Sequence, residues 1–447
     1  MVAAGRELRL GYFDHPPLAW WLSAGISHLT GSDAALVVRL PFIALFAVST
    51  WLMYRLTSLL FSPVAGVWAA VALNLAPVLG VTTGGWVLPD GPLICALLAA
   101  AFCLVRALET RGWTWWLGAG AGAGFSLLSK YSAVLPLTGV FFYLLTEPRH
   151  RSWLTRPQPY AAALLALLLF SPVLLWNATH GWASFAFQGD RAAAYRFHPL
   201  GPLTTLAGEA LYLLPWIWFF LIVQFIRGVR AGPAEWRAWL LCCLAAGPIL
   251  LFALVALWSR AVLFHWAIPG YFFLFPLLGA QLVRWPARLA KLWLRGSAML
   301  VLIGLVLIAT EVDWNWSSAL AEPSLQAVDW TPLRAELSRR HLLDRPNTII
   351  AAPNWRDTGK LDYALGGNPS VLCLNTDARQ YGFNPGPAAH IGQDVLIIAP
   401  HQTAVQITAS YGNVFEKIEP LEPASFKLPG RTVDFPLYLG HDLKRWP

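Results

Sequence analysis

The chain has 447 residues, 57% of them hydrophobic and only 13% charged, with a formal net charge of +8. Soluble globular domains carry roughly 25% charged residues, so this composition excludes an ordinary water-soluble protein. The mean hydropathy of +0.52 agrees, and the 24 tryptophans suit the interfacial belts of a polytopic membrane protein. The excess of positive charge follows loops between apolar runs, which argues against nucleic acid as a partner.

Residues 1–35 read as an outer loop and an interfacial helix. Met1 to Leu10 contains Arg6, Glu7 and Arg9 and no apolar stretch, so it does not resemble a signal peptide. The run Gly11-Tyr12-Phe13-Asp14-His15-Pro16-Pro17-Leu18 follows. Its two prolines stiffen the backbone and hold Asp14 and His15 in place. Asp14 is either a solvated turn residue or a carboxylate kept beside the bilayer for chemistry. Leu18 to Leu29 reads as a helix ending near Gly31, too short to span and suited to the interface plane.

Residues 36–310 form the membrane domain. Ten apolar runs are candidate spans, near 36–60, 64–83, 91–108, 113–129, 131–146, 158–176, 205–226, 237–258, 262–283 and 297–310. One set of loops carries Arg106, Arg111, Arg149, Arg151, Arg156, Arg227, Arg230, Arg237, Arg284, Arg288, Lys291 and Arg295. The positive-inside rule puts this set in the cytoplasm. Asp14, Asp90, Lys130, the 177–204 loop and Arg260 then share the outer face.

Asp90 stands in Pro89-Asp90-Gly91-Pro92, where it can cap the third span, with Pro92 in the first turn. Alternating glycines from Gly118 to Gly124 lie inside a span and read as a close-packing face. Lys130, followed by Tyr131, is either a snorkelling lysine or a point charge for a lipid phosphate. In the 177–204 loop, Gln188 and Arg191 are either solvated or in contact with acceptor or sugar. Arg260 adds a second cation, and His265 follows it into the next span. Two cations and two carboxylates at one face suit group transfer from a phosphate leaving group.

Residues 311–447 read as a soluble α/β domain. Apolar runs at 348–352, 370–374 and 394–399 predict strands, and helices are expected near 332–343, 356–365 and 402–411. No glycine-rich phosphate loop follows these strands. Cys95, Cys103, Cys242, Cys243 and Cys373 show neither metal-ligand spacing nor a disulfide framework.

The motif at 11–17, with Arg39-Leu40-Pro41 and Pro89-Asp90-Gly91-Pro92-Leu93, resembles the GT-C-fold membrane glycosyltransferases. Within them it is similar to the branch of protein O-mannosyltransferases and the lipid A aminoarabinose transferase, over roughly residues 5–280. The resemblance implies an α-helical polytopic membrane protein. It implies a polyprenyl-phosphate-linked sugar donor, a lipid, glycan or protein acceptor reached from the outer face, and inversion at the anomeric carbon. It makes Asp14 and Asp90 the catalytic carboxylates and Lys130 and Arg260 the donor-phosphate cations. His15, His265 and Tyr131 support them. Relatives begin with a further helix and an Asp-Glu motif, which this sequence lacks, so a start site upstream is expected. No cofactor is required on this reading, and a divalent metal, though possible, is not expected to be essential. The enzyme is expected in the cytoplasmic (inner) membrane, with its active site and C-terminal domain extracytoplasmic. The alternatives are a transporter or lipid flippase, and a non-catalytic scaffold of the same descent.

Overall fold

The structure is a computed structural model that describes residues 1–192, 197–259, 262–317, 325, 327–383 and 387–445. It divides into two units, one of Leu8–Val301 and one of Met1–Glu7 with Leu302–Pro447. A single turn, α1 (Val2–Gly5), therefore belongs with the C-terminal unit.

The larger unit is helical throughout. The short helix expected after the double proline is α2 (Leu18–Thr30), ended by Gly31 in the left-handed conformation at φ 67°. The apolar runs become α3 (Ala35–Leu60), α4 (Pro63–Leu75), α5 (Asp90–Thr110), α6 (Trp113–Ser129), α7 (Val134–Thr146) and α8 (Pro157–Thr179). Then come α9 (Ala183–Ala192), α10 (Gly201–Leu213), α11 (Pro215–Ala231), α12 (Trp236–Val255), α13 (Ile268–Tyr271), α14 (Phe275–Leu282) and α15 (Ala287–Trp314). Among the described residues, five stretches are long and apolar enough to cross a membrane: Ala35–Leu60, Asp90–Thr110, Pro157–Thr179, Pro215–Val255 and Ala287–Trp314. The chain is a multi-pass membrane protein.

Several expected spans are interrupted, each for a local reason. The run at 205–226 is not one helix. Pro215 lacks the N–H that would continue α10, so Leu214 takes φ 70° and α11 restarts at Pro215. The run at 64–83 stops at Leu75 before Pro77 and resumes as a π-helical turn over Val78–Thr83. The run at 262–283 begins only at Ile268, and a 3-10 turn over Phe272–Leu274 separates α13 from α14. The last helix starts at Ala287, well before the expected 297.

Lipid offers no hydrophobic drive for helix pairing, so small residues and close fit hold the bundle. The glycine run does what its spacing suggested. A Cβ on Gly122 would lie 2.8 Å from Ala100 N, and one on Gly124 would lie 2.7 Å from the Leu169 side chain. One face of α6 thus meets α5, and the other meets α8. Aromatic residues fill the centre, with Tyr271, Phe272, Phe273 and Phe275 all buried.

The C-terminal unit adds α16 (Pro332–Arg339), α17 (Trp355–Ala364) and α18 (Ala404–Tyr411) to a five-stranded sheet. Its strands are β1 (Thr348–Ala352), β2 (Val371–Cys373), β3 (Asp394–Ile398), β4 (Phe415–Lys427) and β5 (Thr432–Leu443), in the order β2-β1-β3-β5-β4. β1 pairs in parallel with both β2 and β3, while β5 is antiparallel to β3 and β4. Alternate residues feed two cores. Ile350, Leu396 and Phe435 face one side, and Ala351, Val395 and Ile397 face the other. The expected strands and helices are all present. The hairpin β4–β5 was not expected: Pro420 and Pro423 break its pattern, which the edge position of β4 and an irregularity between Leu421 and Ala424 accommodate.

Candidate functional site

The sequence-predicted residues that the structure describes converge at one end of the helical unit. Lys130 ends α6 in an extended conformation, and its Nζ donates to Asp90 Oδ1 at 2.9 Å. Both side chains are shielded, at 7% and 13% exposure. Asp90 occupies the first turn of α5 and makes no cap bond to the helix, so its carboxylate serves the lysine and not the backbone. Lys130 is likewise not a snorkelling lysine, because it turns inward onto a carboxylate.

The loop before α2 brings His15 to this pair. Its imidazole experiences the charges of Lys130, Asp90 and Arg191, with His265 also in range. Burial first, and then Lys130, lowers the His15 pKa from 6.5 to about 3, so the ring is neutral near pH 7. A neutral imidazole keeps one N–H and one lone pair, and the buried Nδ1 has no hydrogen-bond partner in this structure. His15 is therefore a hydrogen-bonding group and not a cation.

The motif around it is built for close approach. A Cβ on Gly11 would lie 2.9 Å from Trp176 Cβ and Cγ on α8, so only glycine fits. Tyr12 stacks on Trp20 with centroids 4.5 Å apart. Gln188 Nε2, on α9, donates to the Asp14 carbonyl at 2.6 Å. Gln188 thus fixes the turn that carries the carboxylate.

Arg191, also on α9, lays its guanidinium over Trp266 at 4.4 Å and near Phe187 at 5.4 Å. Ser259 Oγ donates to the Arg191 carbonyl at 2.9 Å, which ties α9 to the segment after α12. That segment carries His265, which lies within electrostatic range of both His15 and Asp90. Tyr131 shares a 2.7 Å hydrogen bond with Ser184 and packs edge-on against Phe185. Arg260 lies outside the described residues. The described site thus holds a carboxylate–lysine pair, two histidines, an arginine and the Asp14 turn.

Sequence reasoning passed over Trp266, Ser184 and Glu209. Trp266 and Ser184 gave no signal, because one aromatic and one hydroxyl in a loop are commonplace. Glu209 did give one, as an acid inside an apolar helix. It is buried on α10, where Tyr271 OH donates to its Oε2 at 2.7 Å and Trp218 Nε1 donates to Tyr271 at 3.0 Å. Among the described residues, no group of three His, Cys, Asp or Glu side chains is arranged to hold a metal ion.

The fold has counterparts among solved structures. The structure of ArnT from Cupriavidus metallidurans bound to undecaprenyl phosphate superposes with a TM-score of 0.64 at 14% identity, covering 96% of this chain and 88% of that one. The chain has the GT-C glycosyltransferase fold. The apo form of ArnT matches this chain equally well, at 0.63. The profile of the dolichyl-phosphate-mannose-protein mannosyltransferase family matches residues 14–176 of it, a span that holds Asp14, His15, Asp90, Lys130 and Tyr131. The lipid A galacturonosyltransferase RgtD of Rhizobium johnstonii is 24% identical over 272 residues, or 60% of the chain. The chain spans about half the length of that curated relative, 56% of it. The matched family and RgtD are, by name, a mannosyltransferase and a galacturonosyltransferase.

Proposed function

We propose that the protein transfers a sugar from a polyprenyl-phosphate donor to a lipid-borne acceptor at the outer face of the cytoplasmic membrane. The observation that carries this reading is the shielded Asp90–Lys130 pair with His15, His265 and Arg191 around it, within a GT-C fold. An ammonium has three N–H donors, and Asp90 accepts from one of them. The others are available to the oxygens of a phosphate. Asp90 in this role aims the lysine and holds its charge in place. Arg191 completes the described cationic surround.

The acceptor hydroxyl attacks the anomeric carbon, and the bond from that carbon to the phosphate oxygen breaks. The electron pair leaves with polyprenyl phosphate, whose growing charge Lys130 stabilises. Asp14, fixed by Pro16, Pro17 and Gln188, takes the hydroxyl proton. Neutral His15 and His265 hydrogen-bond sugar or acceptor oxygens, while Tyr131 orders the rim. Attack from the face opposite the phosphate inverts the anomeric centre. Cationic side chains take the part a divalent metal plays elsewhere, so chelation by EDTA leaves turnover intact.

The test is release of free polyprenyl phosphate by membranes that contain the full chain and a panel of polyprenyl-phosphate sugars with crude lipid acceptor. Turnover with one donor, lost in Asp14→Asn and Lys130→Gln, is expected. Absence of release with every donor, or release indifferent to both substitutions, overturns the proposal.

A further inference from the structure

The C-terminal sheet contains a crossing point that the transfer chemistry leaves unused. From β1 the chain runs through α17 to β2 on one side, and from β2 it returns past β1 to β3 on the other. The loops leaving the carboxyl ends of β1 and β3 therefore diverge. Such a divergence opens a crevice at the strand ends, which is where open α/β sheets hold their ligands. The N-termini of α17 and α18 both follow directly from these loops, and their dipoles favour negative charge there.

The side chains gathered at the crevice come from all three parallel strands. After β1, Asn354 caps α17 and donates from Nδ2 to Asp357 Oδ2 at 2.6 Å. Asp357 is buried, at 1% exposure, and its Oδ1 lies 3.7 Å from Nε2 of His401, which follows β3. After β2, Asn375 Nδ2 donates to the Pro353 carbonyl at 3.2 Å, closing that loop onto the first. Arg379 from the same loop lies over the Trp355 ring at 4.0 Å, and Arg356 lies 5.2 Å from that ring. Beside His401, the buried Oε1 of Gln402 has no hydrogen-bond partner. A buried acceptor left unpaired is costly, and a donor from a ligand would satisfy it.

Two guanidiniums braced on an indole suit a phosphate, because each offers a planar fork of donors. A buried carboxylate, an imidazole and an amide suit hydroxyl groups, which both donate and accept. We propose that this crevice binds a phosphorylated saccharide, with Arg379 and Arg356 on the phosphate and Asp357, His401 and Gln402 on ring hydroxyls. The site is independent of the transfer reaction and stands or falls without it.

Isothermal titration of the full chain in detergent micelles tests this with glucosamine 1-phosphate, glucosamine and inorganic phosphate. Saturable binding of the phosphosugar is expected, with each of the other two at least about tenfold weaker. Arg356→Ala, at an exposed position, and Arg379→Ala each weaken the phosphosugar by about tenfold, the loss of one charge-assisted contact. His401→Ala weakens it while leaving the melting temperature within a degree or two of the parent. Asp90→Asn, in the other unit, leaves the affinity unchanged, which separates this site from the transferase site. Nanodiscs containing lipid A, whose glucosamines carry phosphate, then identify the source. Competition with the free phosphosugar assigns a lipid headgroup and lack of competition a free metabolite, and both uphold the site. Inorganic phosphate binding as tightly as the phosphosugar overturns the proposal. So does phosphosugar binding untouched by both arginine substitutions, and so does no binding at all.

Discussion

Lys130→Met removes the cation from an ion pair whose atoms lie 2.9 Å apart with side chains 7% and 13% exposed. At an effective dielectric of about 20, charges at that separation attract by about 6 kcal/mol, most of it offset by the desolvation of both groups. The pair adds little net stability, yet removing one member leaves the other charge buried, which costs about 3–5 kcal/mol. Asp90→Asn should cost less, because the amide oxygen still accepts from the ammonium. In the double variant Asp90→Asn/Lys130→Met no charge is stranded, so most of the loss returns, with a coupling of about 2–3 kcal/mol. Irreversible unfolding is common for such proteins, so half-lives at a fixed temperature in detergent are the measure of stability. Turnover should behave differently. Loss of the ammonium removes a preorganised donor to the leaving phosphate, about 10²–10³-fold in rate, and the double variant does not recover it. Recovery of stability without recovery of turnover is the expected signature. A double variant no more stable than the sum of the singles would refute the energetic coupling. Normal turnover in Lys130→Met would refute the role given to the lysine.

Gly11→Ala places a methyl 2.9 Å from Trp176 Cβ and Cγ, atoms that cannot swing aside, so it should destabilise by about 1–3 kcal/mol and shorten the same half-life. Tyr271→Phe strips Glu209 of the hydroxyl at 2.7 Å and should cost about 1–3 kcal/mol, whereas Trp218→Phe removes only an outer link and should cost less. Lys360 donates to the Val328 carbonyl at 2.8 Å beneath Trp330, and burial lowers its pKa from 10.5 to about 8. The folded state thus holds this proton less tightly than the unfolded chain. The group's contribution to stability therefore rises as pH climbs from about 8 to 10.5 and is lost on the way down, which Lys360→Met should abolish in a pH series of melting curves. His15 follows the same sign: its folded pKa of about 3 means that stability falls as pH drops below 6.5, and His15→Asn should flatten that limb.

The parts that were legible in the sequence are those where one residue type admits one local solution. Gly31 could only end α2, and the alternating glycines of α6 could only pack closely. The strands β1 and β3 are buried on both faces and read as continuous apolar runs, so they were visible. The edge strand β4 was not, because Phe415–Lys427 shows solvent a pattern of charges and prolines that propensity assigns to loop. The interrupted helices failed for the opposite reason. Hydropathy cannot see where Pro215 or Pro77 stops a ladder, since the apolar run continues past it.

At the site, charge sidedness carried the reasoning a long way. Lys130 and Asp90 are 40 positions apart in sequence, yet one assignment of loop faces put both at the same end of the bundle, where they meet at 2.9 Å. That assignment could not say that they meet each other. A carboxylate beside a helix start has two partners to choose from, backbone donors or a distant cation, and only tertiary packing decides between them. The choice changes the chemistry. A capping Asp90 would leave Lys130 to snorkel toward water, whereas a paired one pins the ammonium in a shielded pocket with donors to spare. Gln188 shows the same dependence on packing. Alone it reads as a solvated loop amide, but its bond to the Asp14 carbonyl makes it the brace that holds the motif's carboxylate in place. The identities of these residues were readable from the chain, and their roles depend on which neighbour reached each polar atom first.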